Sequence, residues 1–273
     1  MRVAITGASG HIGSVLCARL SDTHELRGCD VRPPQPEVEA WCRGGFVIGD
    51  CARPAVAAEA VEGVQAVVHL AGVPTEADLP TILHTHVETT AALLDAMVQF
   101  GIDRMVYASS NHAVGMTPRT ERLDADVRPR PDTFYGVGKV AAEALLSLYA
   151  DRHSISSVAM RIGSFLETPE TQRNLSTWLS YDDCVSMVQA ALVADVKGFA
   201  PIYGISANSS AWWDLDPGRS IGYQPEDDAA DYAGRLPDRI EDAAEAAHVG
   251  GPFATSTFDS RPFPDQTDES SGA

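Results

Sequence analysis

Three observations predict an α/β fold of the Rossmann type, a doubly wound parallel sheet with a small C-terminal substrate-binding lobe. Over the first ~200 residues, short β-branched runs alternate with helical stretches, the order that builds a sheet covered by helices on both faces. The runs AVVHLAG and MVYASS are apolar throughout rather than alternating, as strands buried on both sides must be. The segment TGASGHIG follows the first such run and opens a helical stretch, which is where a glycine turn binds a dinucleotide.

Taken in order, strands are read at 2–6, 25–30, 46–49, 66–70, 104–109 and 157–162. Helices fall between them near 11–20, 54–62, 79–100 and 134–151, each closed by Gly, Asp or a basic residue. After Ile162 the segments shorten and become rich in Ser, Asn, Trp and Pro, with one clear helix near 181–194 and a strand near 199–205. The expected organisation is a nucleotide-binding core over 1–165, a substrate-binding lobe over 166–250 within the same compact domain, and a tail over 251–273. The tail is polar and proline-containing, so it is expected to wrap the surface or to be partly disordered.

Composition narrows the function classes. No apolar run approaches the ~20 residues of a membrane span, and MRVAITGASG carries glycines where a secretory segment needs unbroken apolar residues. A net charge of -18 without a basic cluster argues against nucleic acid or anionic lipid as partners. Five cysteines, an odd number without C-x-x-C spacing, suggest neither a disulfide framework nor a metal site, and a reducing cytoplasm fits them best. Only two of the 20 basic residues are lysines, Lys139 and Lys197, so a lysine inside a motif is a rare choice.

In the glycine turn, Gly7 permits the tight bend, Gly10 lets backbone approach a pyrophosphate, and Gly13 lets helix pack on strand. The diphosphate is then expected on the helix N-terminus near His11 and Ile12. Asp30 ends the second strand, where a carboxylate bonds the ribose 2′-hydroxyl and repels a 2′-phosphate, so the cofactor expected is NAD. Arg27 and Arg32 stand nearby, and an arginine can accommodate that phosphate. Asp50 and Cys51 close the third strand beside the expected adenine, and Leu70, Ala71 and Gly72 close the fourth. Asp50 is also readable as an ordinary turn residue.

Tyr135 and Lys139 stand four apart at the start of a helical run, so both project from one face. A phenol is a weak base near neutrality, but an adjacent ammonium and a positive nicotinamide favour the phenolate, which takes a hydroxyl proton. Ser110 ends the fifth strand, where open α/β sheets bind ligands, and is expected to bond the reacting oxygen; Ser109 is read as structural. Asn111 and His112 follow with donors and acceptors suited to a polyhydroxylated substrate.

Together TGASGHIG, LAG, SSN and YGVGK resemble the extended short-chain dehydrogenase/reductase superfamily over roughly residues 1–165. A narrower resemblance, to uronate dehydrogenases, spans nearly the whole chain. It rests on ASSNHAVG (108–115), TERL (120–123), RPDTFYGVGK (130–139 apart from Pro131), RIGSF (161–165), RNLSTWLSYDD (173–183) and YGISANSSAWWD (203–214). The resemblance implies oxidation of the C1 hydroxyl of a hexuronic acid, glucuronate or galacturonate, to an aldarolactone with NAD as acceptor. It implies Arg173 as the clamp of the C6 carboxylate, and Ser110, Asn111, His112 and Ser164 as partners of the ring hydroxyls. It places Ile162 against the cofactor and implies a homo-oligomer formed through the helices near 79–100 and 134–151. Three positions depart from the pattern: Pro74 replaces a small hydroxyl residue, with Thr75 a possible substitute; His86 replaces an Asn; Gly138 replaces a Ser. Two rival readings remain. One is an NAD-dependent glucose-6-phosphate or other aldose dehydrogenase of the same fold, the other a non-catalytic NAD-binding sensor.

Overall fold

The computed structural model describes residues 1–119 and 122–263. Seven strands form one sheet in the order β3-β2-β1-β4-β5-β6-β9, and every neighbouring pair is parallel. They are β1 (Arg2–Thr6), β2 (Glu25–Asp30), β3 (Phe46–Ile48), β4 (Ala66–His69), β5 (Arg104–Ser110), β6 (Ser156–Ile162) and β9 (Phe199–Gly204), with β7 (Ser164–Phe165) pairing β8 (Trp178–Leu179) apart from the sheet. The Rossmann-type fold read from the sequence is the one observed. Strand order reverses between β1 and β4, opening a crevice at their carboxyl ends.

Alternate residues of each strand feed two cores. Val3 and Ile5 face one cluster with Leu16 and Leu20 of α1 (His11–Leu20) and Met187 of α8 (Tyr181–Val193). Ala4 and Val67 face the other, with Ala57 of α3 (Pro54–Val61), Leu93 of α5 (Thr89–Phe100) and Leu146 of α6 (Phe134–His153). Burial on both faces accounts for the unbroken apolar runs. β9 pairs with β6 from Ser157 to Ile162, so a segment beyond residue 166 completes the sheet.

Three elements differ from expectation. A short helix, α2 (Pro36–Trp41), forms in the proline-rich stretch after β2, with Pro36 in its first turn, where a missing N–H is harmless. The single helix expected over 79–100 is three pieces: α4 (Leu79–Ile82), a π-helical turn (Leu83–Glu88), and α5. Threonines explain the interruption: Thr85 Oγ1 donates to Thr81 O, Thr89 Oγ1 to His84 O and Thr90 Oγ1 to His86 O, competing with the helical ladder. α6 runs to His153 and is closed by Ser154 at φ 59°, a left-handed cap on a residue that is not glycine.

Candidate active site

A cleft of about 700 Å³ runs along the carboxyl ends of the strands, from the glycine turn to Tyr135 and His112. At its nucleotide end Gly7 adopts φ +71°, and a Cβ there would sit 2.8 Å from the Ala71 amide nitrogen. A Cβ on Gly13 would overlap the Gly7 carbonyl. Gly10 precedes α1 without a side chain to cap it, so the first-turn amides beside His11 and Ile12 remain available to an anion. Asp30 is held by backbone: Ser9 N donates to Oδ2 and Arg32 N to Oδ1, both at 3.0 Å. Arg27 is committed elsewhere, donating to the carbonyls of Gly44, Glu59 and Glu62, whereas Arg32 lies beside Asp30 with Nε 3.7 Å from Oδ1. Asp50, Cys51, Leu70, Ala71, Gly72 and Ile162 all line the cleft. The cradle of glycines, open helix amides and a terminal carboxylate fits a dinucleotide.

His84 was not anticipated. Its Nε2 meets Asp50 Oδ2 and its Nδ1 meets Glu88 Oε2, both at 2.7 Å, an arrangement that asks both ring nitrogens to donate. Glu88 and then Asp50 raise its pKa above the ordinary histidine value.

At the catalytic end, Tyr135, Lys139 and Glu143 form an i, i+4, i+8 ladder on α6. The helix starts at Thr133, whose Oγ1 accepts from Gly136 N at 2.9 Å, while Glu76, a residue without local signal, accepts from the amides of Phe134 and Tyr135 at 3.0 and 2.8 Å. Lys139 Nζ donates to Ala108 O at 2.7 Å and lies 5.2 Å from the Tyr135 ring centroid. Burial pushes Lys139 down to about 7, against the pull of Glu143, and pushes Tyr135 up to about 12, against its bond with Ser110. The sequence argument that a neighbouring ammonium favours the phenolate is therefore outweighed by desolvation in the protein alone. Glu143 is itself paired, taking Arg161 Nε at 3.1 Å and Nη2 at 2.8 Å, and Ser109 Oγ donates to it at 2.5 Å.

Behind Tyr135 runs a buried chain. Thr90 spends its proton on His86 O, so it accepts from His69 Nε2 at 3.1 Å, leaving Nδ1 to accept from Thr6 Oγ1 at 2.8 Å. His69 is neutral, pushed down to about 3 by burial and by Lys139. The His86 ring, 1% exposed, meets Tyr135 edge-to-face at 5.3 Å and donates from Nε2 to Val73 O at 3.1 Å. A Cβ on Gly72 would overlap this ring, and one on Gly138 would sit 2.6 Å from Ile82 and 3.3 Å from His86 Cβ. The departures at His86 and Gly138 thus fit one another: the glycine vacates space that Ile82 and the imidazole fill.

At the end of the cleft away from the glycine turn, Ser110 Oγ accepts from His112 N at 3.2 Å, and His112 lines the cleft with Nδ1 on Asp132 Oδ2 at 2.8 Å. Asn111 also lines the cleft but gives its Nδ2 to Val249 O at 3.1 Å, so that amide supports the C-terminal segment. Arg173 donates from Nη2 to the same carbonyl at 2.8 Å and from Nη1 to Ser164 and Thr177 hydroxyls at 3.3 and 3.4 Å. Neither Arg173 nor Ser164 is among the residues lining the cleft, and Thr75 is exposed outside it; Val73 and Pro74 line it instead. Burial pushes Arg173 down to about 10, which leaves it charged near neutrality. The tail segment crosses this end: Phe253 packs on His112 at 5.0 Å, Ser260 bonds Glu76, and Leu79 N donates to Pro262 O at 2.9 Å. The rest of the expected tail, 264–273, and residues Thr120 and Glu121 of the TERL block lie outside the described residues.

The profile described as the NAD dependent epimerase/dehydratase family matches residues 3–193. The chain is 36% identical over 259 residues to a uronate dehydrogenase of Pseudomonas putida, covering 93% of this chain and 96% of that one. It is 33% identical over 249 residues to an NAD-dependent glucose-6-phosphate dehydrogenase of Haloferax volcanii, covering 84% of this chain and 95% of that one. A mutant uronate dehydrogenase of Agrobacterium tumefaciens, solved in complex with NAD, superposes with a TM-score of 0.87 at 34% identity, covering 95% of this chain and 99% of that one. Among the described residues no helix is long and apolar enough to cross a membrane.

Proposed function

The chain belongs to the NAD dependent epimerase/dehydratase family, and on that premise we infer that it is an NAD-dependent oxidoreductase that oxidises the C1 hydroxyl of a hexuronic acid to an aldarolactone. Residues 1–165 hold the nucleotide and catalytic groups, and the segment beyond contributes the sugar end. The glycine turn, the α1 amides and Asp30 would hold NAD, which would supply the hydride acceptor for C1 and a positive ring to offset the burial of the Tyr135 phenol. Tyr135 takes the hydroxyl proton, and Ser110, bonded to it, holds the same oxygen. Lys139, anchored on Ala108 and pushed down to about 7 by burial, supplies a cation beside the phenol in its protonated form, which the negative charge developing on Tyr135 favours. Asp30 sits where it selects NAD over its 2′-phosphorylated form.

The observation that carries the substrate class is Arg173. Its hydrogen-bond partners are a carbonyl and two hydroxyls, all uncharged, and the carboxylates of Glu245 and Asp132 act on it only through space, so the guanidinium has no direct anionic partner and its planar fork suits a carboxylate. Through Val249 O it sits one carbonyl away from Asn111, at the end of β5. Arg173 lies behind the cleft wall, so presenting it to the sugar requires that its bond to Val249 be released and the segment around Val249 and Gly251 give way. The test is Arg173→Met, assayed with glucuronate, galacturonate, glucose and glucose 6-phosphate. We expect KM for the uronates to rise at least tenfold with NAD binding unchanged, on the 2–5 kcal/mol scale of a truncated buried charge pair. Wild-type turnover that favours glucose 6-phosphate would replace this reading by the phosphate one, which the Haloferax volcanii relative makes the alternative.

A homo-oligomer and a cytoplasmic setting are part of the same proposal. Val98 and Phe100 of α5 and Leu148 of α6 are exposed apolar side chains on the two helices expected to pair, and the five cysteines are free and buried.

A further inference from the structure

The Asp132 side chain is 0% exposed although it stands in a loop. Its slot is shaped by two glycines, since a Cβ on Gly115 or on Gly250 would overlap the carboxylate. Inside the slot Oδ2 meets His112 Nδ1 at 2.8 Å and Oδ1 accepts from Thr133 Oγ1 at 3.1 Å. Thr133 is the N-cap of α6, so one carboxylate joins His112 to the turn that carries Tyr135.

An ionised carboxylate can only accept, so the Nδ1 that faces it must carry a proton. In the neutral ring that leaves the lone pair on Nε2. His112 lines the cleft, its ring edge-to-face with Tyr135 at 5.8 Å and with Phe253 at 5.0 Å, so it cannot turn over without breaking both contacts. The backbone adds a third restraint, His112 N on Ser110 Oγ.

We propose that Asp132 is a positioning residue that locks His112 in its Nδ1–H form, making Nε2 an acceptor for a ring hydroxyl of the sugar beside the carbon that Tyr135 serves. The recognised chemistry is a hydroxyl donor on the substrate, and the carboxylate acts only through the imidazole. The proposal rests on the uronate reading for the identity of the sugar, but the tautomer it requires does not.

Nitrogen-15 NMR of histidine-labelled protein above neutral pH, without substrate, reads the tautomer directly. We expect Nδ1–H for His112 in the wild type, and loss of that signature in Asp132→Asn, whose amide fits the slot and can donate to Nδ1. In kinetics, Asp132→Asn should raise KM for a uronate about tenfold, the scale of one hydrogen bond to a poorly matched partner, with a smaller change in kcat and none in NAD binding. In a His112→Ala background the same substitution should leave KM where His112→Ala sets it. A wild-type Nε2–H tautomer overturns the proposal, as does an equal rise in KM in both backgrounds. If Asp132→Asn fails to fold, the wild-type spectrum still decides. A wild type that leaves uronates untouched overturns the substrate reading and not the tautomer.

Discussion

The two ends of the cleft are built by opposite means. At the nucleotide end the carboxylates are held chiefly by backbone: Asp30 by the amides of Arg32, two residues on, and Ser9, 21 residues back, and Asp50 by the amide of Ala52, two residues on, with the exposed His84 bridge across 34 residues the exception. The sugar end is made of side chains from remote segments: Asn111 reaches Val249 across 138 residues, Arg173 reaches it across 76, and Tyr135 N reaches Glu76 across 59. Local glycine geometry suffices to bind a diphosphate, because amides supply the charge complement. Selecting a sugar acid needs buried charge, and buried charge needs partners from several directions.

If the ends are separable in this way, Tyr135→Phe should abolish turnover at one end and spare the other. Removing the proton acceptor should lower kcat by roughly 10²–10⁴, while NAD titration stays at the wild-type value. A parallel loss of NAD binding would break the separation. The next largest effect belongs to the buried ladder: Glu143→Ala strands Arg161 and should destabilise the fold by roughly 3–5 kcal/mol in denaturant titration. An exposed pair at the nucleotide end should matter least. The His84 bridge to Asp50 and Glu88 raises the folded pKa, so its contribution is complete below the unfolded value of 6.5 and is lost as pH rises through the raised value. His84 is 47% exposed, so the loss should stay under about 1 kcal/mol and vanish in His84→Gln, read as stability against pH between 6 and 9 on the scale of surface ion pairs. A larger pH effect would show that this end also depends on long-range charge.

The same contrast explains what could be read from the sequence. The glycine turn, Asp30, Tyr135 and Lys139 were legible because their geometry follows from short spacing in one strand–turn–helix or on one helix face. α2 was not, because six residues opening on a proline carry too little periodicity. The break at Leu83–Glu88 was not, because the apolar pattern over 79–100 survives a π-turn while the threonine hydroxyls do the damage. Glu76 and His84 gave no signal, since a lone carboxylate or imidazole in a polar stretch looks like any solvated side chain. Asp132 lay inside a motif yet drew no role, since only the glycine slot across the chain makes it a buried anion. Asn111 was legible from its place directly after Ser110 and Arg173 only through resemblance, and their shared partner was invisible because a backbone carbonyl has no sequence signature.

The Val249 carbonyl that receives both Asn111 and Arg173 also sets an order of assembly. Chains emerge from the ribosome N-terminus first, at about 5–20 residues per second. The glycine turn, Asp30 and the Tyr135 helix are all synthesised before the residue that seals the sugar end. Once α8 and β9 have completed the core and the sheet, a nascent chain can therefore have its nucleotide cradle several seconds before it has a complete sugar pocket, and a chain cut short just before Val249 would keep the first and lack the second.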